Sequence, residues 1–235
     1  MKESPKRILL KLSGEALGEN GRLFDQDMIL RVGKILSDVA ATGAQLGVVI
    51  GAGNIWRGRQ SKEMDAVTAD HMGMLGTVIN CLCMRDAVER TGGHAVVFSA
   101  IDMPRVCESY NVQSARQAMA EGKVVFFAGG SGNPFFTTDT AVVLRAAEMQ
   151  ADMLLLAKNV DGVYTADPNK DPNAQLIHDI SYAEALERRL RVMDTAAFAM
   201  LTEQAIPMVR VFGLAEPENI LKVIAGDPRG TVLHP

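Results

Sequence analysis

Lys11 interrupts an otherwise apolar run, Ile8-Leu9-Leu10-Lys11-Leu12, and Ser13-Gly14-Glu15 follow at once. A buried ammonium without a partner is costly. Either an anion sits at that strand end, or the lysine stem snorkels to water from an edge strand, and the pattern leaves both open. In the first reading Lys11 meets transferring phosphates, while Ser13 and Gly14 let backbone amides come close to them.

Three further segments carry a similar signal. Gly51-Ala52-Gly53-Asn54-Ile55-Trp56-Arg57-Gly58 follows a second apolar run. It is not a Walker loop, and its third glycine falls two places late for a dinucleotide GxGxxG. Arg57 has the planar fork of donors that clamps a phosphate, although glycine pairs after strands also mark plain turns. Ala128-Gly129-Gly130-Ser131-Gly132-Asn133-Pro134-Phe135-Phe136-Thr137-Thr138-Asp139 runs from a glycine-rich loop into a helix. Its threonines or aspartate serve as an N-cap on the simplest reading. The Phe135-Phe136 pair suggests pocket walls, and helix N-terminal amides beside hydroxyls make an anion site. In Asn159-Val160-Asp161-Gly162-Val163-Tyr164-Thr165-Ala166-Asp167-Pro168, Tyr164 offers a surface for a base and Asp167 an acceptor for ribose hydroxyls. As turn chemistry, the Asp-Gly and Asp-Pro steps are common. The four histidines, His71, His94, His178 and His234, have no metal-ligand spacing, and no nucleophile–His–Asp set stands out. Covalent catalysis and tight zinc binding are therefore not expected.

The elements that must position these loops follow from the apolar pattern. Near-continuous apolar runs at 7–12, 45–50, 95–99, 124–128, 153–157 and 208–212 predict strands covered on both faces. Helical periodicity at 27–41, 70–90, 112–121, 138–150, 194–204 and 217–224 lies between them. Repeated βα units predict an α/β fold, a three-layer αβα sandwich with a mainly parallel sheet, and ligands at the carboxyl ends of its strands. No linker or repeat divides residues 1–235, so one domain is expected. The stretch 159–179, rich in Asp, Asn and Pro, reads as a turn-rich loop or small hairpin. Along 70–90 the apolar residues are spread too widely for one sheet face, which fits either a subunit interface or a deeply buried helix.

Composition bounds the function. At 48% hydrophobic and 22% charged residues, 235 residues suffice for a full core. A net charge of −4 and the lack of a basic stripe argue against a nucleic-acid partner. Anionic substrates would then need a local positive pocket. Three cysteines, Cys81, Cys83 and Cys107, lack paired or zinc-site spacing and read as small buried hydrophobes in a reducing compartment. The apolar run near the N-terminus is too short for an export signal or a membrane span, so a cytoplasmic protein without membrane contact is expected.

Taken in order, KRILLKLSGEAL, VVIGAGNIWRG, ADHMGMLGTVIN, GNPFFTTDTAVVLRA, VDGVYTADP and VMDTAAF resemble the amino acid kinase superfamily and, within it, the bacterial uridylate (UMP) kinases. The GNPFFTTD and DHMGM segments are specific to the uridylate branch. KLSG and VDGVYTADP are shared more loosely with relatives that act on carboxylates and carbamate.

The resemblance implies Mg²⁺-dependent phosphoryl transfer from ATP to UMP, with no dedicated protein metal site. Lys11, Leu12, Ser13 and Gly14 would bind the ATP phosphates, Gly53 would approach them, and Arg57 would sit where donor and acceptor phosphates meet. Ala52, where many relatives carry Gly, would line the UMP phosphate site. Asp70 would hold the UMP ribose, and Ser131, Gly132, Asn133, Pro134, Phe135, Phe136, Thr137 and Thr138 would wrap the nucleotide. Asp139 would orient Lys11, and Asp194 would organise the catalytic lysines from below. Lys158, Asn159, Tyr164 and Asp167 would form the nucleoside end of the ATP site. Many relatives have Thr-Lys where this chain has Lys158-Asn159, which leaves open which residue supplies the second positive charge. The resemblance further implies a homohexamer built from dimers, activation by GTP through a region corresponding to 19–24, and inhibition by UTP. The competing readings are a superfamily kinase for another acceptor, a non-catalytic nucleotide-binding protein of the same fold, and a purely structural oligomer.

Overall fold

The computed structural model of the chain describes residues 7–18, 22–56, 63–190 and 192–235. Five parallel strands dominate its centre: β1 (Arg7–Leu12), β2 (Gln45–Ile50), β3 (Ala95–Ser99), β5 (Val124–Ala128) and β6 (Met153–Lys158). With β4 (Glu108–Ser109), β9 (Asp179–Ser181), β10 (Val209–Gly213) and β11 (Thr231–His234) they form one nine-stranded sheet, ordered β4-β3-β5-β2-β1-β6-β10-β11-β9. The pairing of β10 with β11 is antiparallel. The remaining strands, β7 (Val163–Tyr164) and β8 (Leu176–Ile177), make the small hairpin that the 159–179 stretch allowed.

Side chains alternate across a strand, and this sorts the core into two layers. Ile8, Leu10 and Leu12 of β1 face one layer with α1 (Gln26–Ala41), α2 (Ala66–Arg90) and α7 (Asn219–Ile224). Leu9 faces the other, with α3 (Val112–Ala120), α4 (Thr138–Met149), α5 (Tyr182–Glu187) and α6 (Thr195–Glu203). The predicted αβα sandwich is therefore observed. From β1 the chain steps outward to β2 and β5 on one side and later to β6 and β10 on the other. The crevice at the carboxyl ends of β1 and β6 is thus the topological switch point, where open α/β sheets bind ligands.

Helix α2 starts a turn earlier than its predicted 70–90. Asp65 caps it, accepting from the Thr68 amide at 2.9 Å. Asp70 therefore stands inside the helix, and its carboxylate is available for another task. Met74, Val78, Cys81, Met84 and Val88 of α2 are buried, whereas Met72, Leu75 and Ile79 are 38%, 48% and 47% exposed. A fully buried helix is excluded. Cys81 and Cys107 are buried and Cys83 is partly so, and burial pushes all three thiols up. The short β4, β9, β11 and α5 were not predicted, because two to six residues are too few to show a period.

Candidate active site

The alternation that sends Leu9 to the α4 layer sends Lys11 there too. Its ammonium lies 3.3 Å from Asp139 Oδ1, in the first turn of α4. In the β1–β6 register Lys11 sits opposite Leu156. Lys158, two residues on, points to the same face. Burial lowers the pKa of Lys158, the charge of Asp139 opposes that shift, and the charge of Lys11 adds to it. The two lysines and Asp139 are therefore electrostatic neighbours, with Lys158 the second cation beside Lys11. Lys158 donates to the Val192 carbonyl. Oδ1 of Asp139 is buried and takes no hydrogen bond, only the ionic contact with Lys11. Two cations against one carboxylate leave a net positive crevice suited to phosphate oxygens.

The loops after β1 and β2 meet beside this pair. Ser13 caps the short 3₁₀ turn Gly14–Leu17. A Cβ at Gly14 would fall 2.3 Å from both the Gly51 carbonyl and Asn54 Oδ1, so only glycine permits this approach. Gly51 donates its amide to Leu12 at 3.0 Å, tying the second loop to the end of β1. Asn159 donates to Glu15 Oε2 at 3.0 Å and brings the fourth loop to the first. Gly53 lies within the turn that follows β2, and Arg57 lies outside the described residues.

A cavity of about 110 Å³ opens on the other side of the same loops. Ala52, Asp70, Gly73, Met74, Thr77, Gly130, Ser131, Asn133, Phe136, Thr137 and Thr138 line it. Asp70 accepts the Phe135 amide at 2.6 Å. This holds Phe135 at φ +69° and leaves its ring 70% exposed. Of the two aromatics expected as walls, Phe136 takes that place and Phe135 projects outward; Gly132 and Pro134 are also not among the lining residues.

A second cavity, about 520 Å³, is lined by the run from Val160 through Lys170, including Tyr164 and Asp167, and by Arg188, Arg189 and Leu190.

Residues 6–210 match the sequence model of the amino acid kinase family. The chain belongs to the amino acid kinase family. A uridylate kinase of Brucella anthropi is 48% identical over 235 residues, covering 99% of this chain and 98% of that protein. The crystal structure of a UMP kinase from Bacillus anthracis superposes with a TM-score of 0.91 at 36% identity, covering 98% of this chain and 96% of that one. A UMP kinase from Ureaplasma parvum gives 0.92 at 34%, with 98% and 99% covered.

Among the described residues of this amino acid kinase, Asp194 bonds to two helix starts and to neither lysine. It caps α6 through the Ala197 amide at 2.9 Å and accepts from the hydroxyls of Thr137 and Thr140. Burial raises its pKa, but these hydrogen bonds outweigh it and hold the carboxyl below its usual range. Thr137 in turn caps α4, whose first turn carries Asp139. Asp194 therefore reaches Lys11 through α4 and not by contact. No cluster of three or more acidic, His or Cys residues that could hold a metal exists among the described residues. The unsatisfied Asp139 oxygen fits an ion that arrives on a nucleotide, since Mg²⁺ commonly takes one or two carboxylates with its phosphates.

Sequence reasoning passed over Thr77 and Asn80. Thr77 accepts the Gly129 amide at 2.8 Å, and Asn80 donates to the Gly51 carbonyl at 2.7 Å. The available signal was two polar residues in the otherwise apolar MLGTVIN stretch, because buried polar groups require partners.

Proposed function

We propose that the chain is a UMP kinase: it moves the γ-phosphoryl group of ATP onto UMP, giving ADP and UDP for pyrimidine nucleotide synthesis. The observation that carries this reading is the convergence of Lys11, Lys158 and Asp139. Two of them adjoin in the chain the linings of two cavities, since Asp139 follows Thr138 and Val160 lies two residues beyond Lys158. We assign one cavity to each nucleotide. A phosphate oxygen of UMP attacks the γ-phosphorus in line as the bond to the β–γ bridging oxygen breaks, and the electron pair leaves with ADP. The acceptor is already an anion, so no general base is needed. Lys11 and Lys158 neutralise charge on the equatorial oxygens, and Asp139 keeps Lys11 aimed. The Gly14 and Gly53 backbone approaches the ATP phosphates, and Arg57 spans donor and acceptor. Asp139 would be the carboxylate to hold a magnesium ion arriving with ATP, which would supply further neutralisation of phosphate charge.

Asp70 accepts the UMP ribose hydroxyls in place of the Phe135 amide, while Ala52 and the residues from Ser131 to Thr138 enclose the rest of UMP. Tyr164 and Asp167 take the adenosine. The exposed Met72, Leu75 and Ile79 stripe supports self-association through α2, as in a hexamer of dimers. Activation by GTP, inhibition by UTP and a cytoplasmic location belong to the same reading; no helix among the described residues is long and apolar enough to cross a membrane. Incubation with Mg-ATP and, separately, UMP, CMP, AMP or carbamate tests the function through ADP release. Turnover with UMP alone supports it. Turnover with another acceptor moves the substrate assignment, and silence with all four favours a nucleotide-binding protein without catalysis.

A further inference from the structure

Helix α2 presents two opposed faces. At about 100° per residue, Asp70 and Thr77 point within roughly 20° of each other and Asn80 lies roughly 60° beyond. On the same count Met72, Leu75 and Ile79 lie within about 40° of the opposite direction. Each polar side chain of the first face holds a loop of the site. Asp70 takes the Phe135 amide and Thr77 the Gly129 amide. Asn80, fully buried, takes the Gly51 loop.

Asn80 is the most completely bonded of the three. Its amide nitrogen donates to the Gly51 carbonyl at 2.7 Å and to Asn54 Oδ1 at 2.9 Å. Its oxygen accepts from Asn54 Nδ2 at 3.1 Å. The second proton of that nitrogen goes to the Leu23 carbonyl, also at 3.1 Å. All four amide protons of the pair are thus engaged. A Cβ on Gly14 would meet Asn54, Gly51 and Asn80 together, so the loop after β1 rests directly on this network. Buried polar networks of this kind rigidify when complete and are costly when half-satisfied.

We propose that Asn80 is a positioning residue for phosphoryl transfer: through its reciprocal amide pair with Asn54 it sets the Gly51–Asn54 loop against the Ser13–Gly14 loop. This rests on the assignment of those two loops to the phosphates of ATP. Asn80 touches no substrate. Its effect falls on the geometry in which γ-phosphorus and acceptor oxygen meet, where a shift of about 1 Å costs on the order of a hundredfold. No residue of similar shape replaces it. Aspartate cannot donate to Gly51, and leucine offers no polar atom.

The test compares the full-length wild type with Asn80→Ala, Asn80→Asp and, as a control for lost stability, Val78→Ala on the same helix. Thermal unfolding is recorded for each, and kinetics are taken well below the lowest transition. For both Asn80 variants kcat is expected to fall on the order of a hundredfold, while the KM for UMP stays within about twofold of wild type. Val78→Ala should keep its kcat. Unchanged turnover in Asn80→Ala, or an equal loss in Val78→Ala, overturns the proposal. If neither Asn80 variant folds, Asn54→Ala on the partly exposed loop carries the test. A loss of roughly tenfold in kcat with an unchanged KM for UMP supports the role, and unchanged turnover overturns it. Where both single variants fold, Asn54→Ala on top of Asn80→Ala should cost little more, as expected for one unit; fully additive losses overturn the pairing. A wild type without turnover would instead sink the kinase reading, a result separable from all of these.

Discussion

The two cavities are built in opposite ways. The smaller draws its walls from the loop after β2, the polar face of α2 and the stretch entering α4, three segments far apart in the chain. The larger is mostly one continuous run, Val160 to Lys170, joined by Arg188, Arg189 and Leu190. Two side chains of α2, buried Thr77 and partly buried Asp70, hold the first in shape. The second keeps its shape by local turns, such as Asp167 accepting the Asn169 amide at 3.0 Å. Substitutions of side chains that line the first should therefore weaken acceptor binding, and substitutions in the second should weaken ATP binding alone.

The Lys11–Asp139 ion pair with its neighbour Lys158, assigned to phosphoryl transfer in the proposed mechanism, sets the upper end of the scale. Lys11→Ala should lose ~10²–10³ in kcat, about 3–4 kcal/mol of barrier. Its fold should persist, since Lys158 remains to offset Asp139. Near-normal turnover in a steady-state assay would remove Lys11 from the mechanism.

The comparison itself is tested by one pair of variants. Asp70→Ala should raise the KM for UMP by roughly 30- to 100-fold, as expected for hydrogen bonds to a charged group worth about 2–3 kcal/mol. Asp167→Ala should raise the KM for ATP by about tenfold, because an exposed acceptor contributes less. Each should leave the other substrate's KM near its original value. Crossed effects would mean that the cavities are not separate nucleotide sites.

Smaller effects bear on stability. Thr137→Ala removes the α4 cap and one of Asp194's partners. A loss of about 1 kcal/mol is expected, readable as a lower denaturation midpoint. Lys158→Met addresses the depressed lysine. A lysine whose folded pKa lies below its unfolded value binds its proton more readily in the unfolded chain, so stability rises with pH between the two values. At neutral pH the folded chain bears the burial cost of the charge, and Lys158→Met should be the more stable protein there, though impaired in turnover. The advantage should shrink as pH climbs toward the ordinary lysine range. A constant difference in melting temperature from pH 7 to 10 would contradict that assignment.

Much of this was legible in the chain alone. Apolar runs such as Ile8 to Leu12 and Leu154 to Leu156 read as covered strands, and Lys11 within the first offered an anion at the strand end as one of two readings. The stretch between Val160 and Lys170 was readable because its turn residues act on their own neighbours. Asp194 shows the limit. Only the resemblance carried by VMDTAAF pointed to it, and its bonds to Thr137 and Thr140 arise only when α4 packs on α6.

The sequence by itself determined the layers, the period of each long element and the loops that carry glycine. Local sterics and side-chain alternation act within a few residues and need no distant partner. Tertiary structure alone decided that Lys158 completes the lysine pair, that Phe135 turns outward while Phe136 lines the cavity, and that Asn80 clasps the Gly51 loop. Those facts depend on strand register and on buried polar groups finding partners tens of residues away, and no local propensity encodes such meetings.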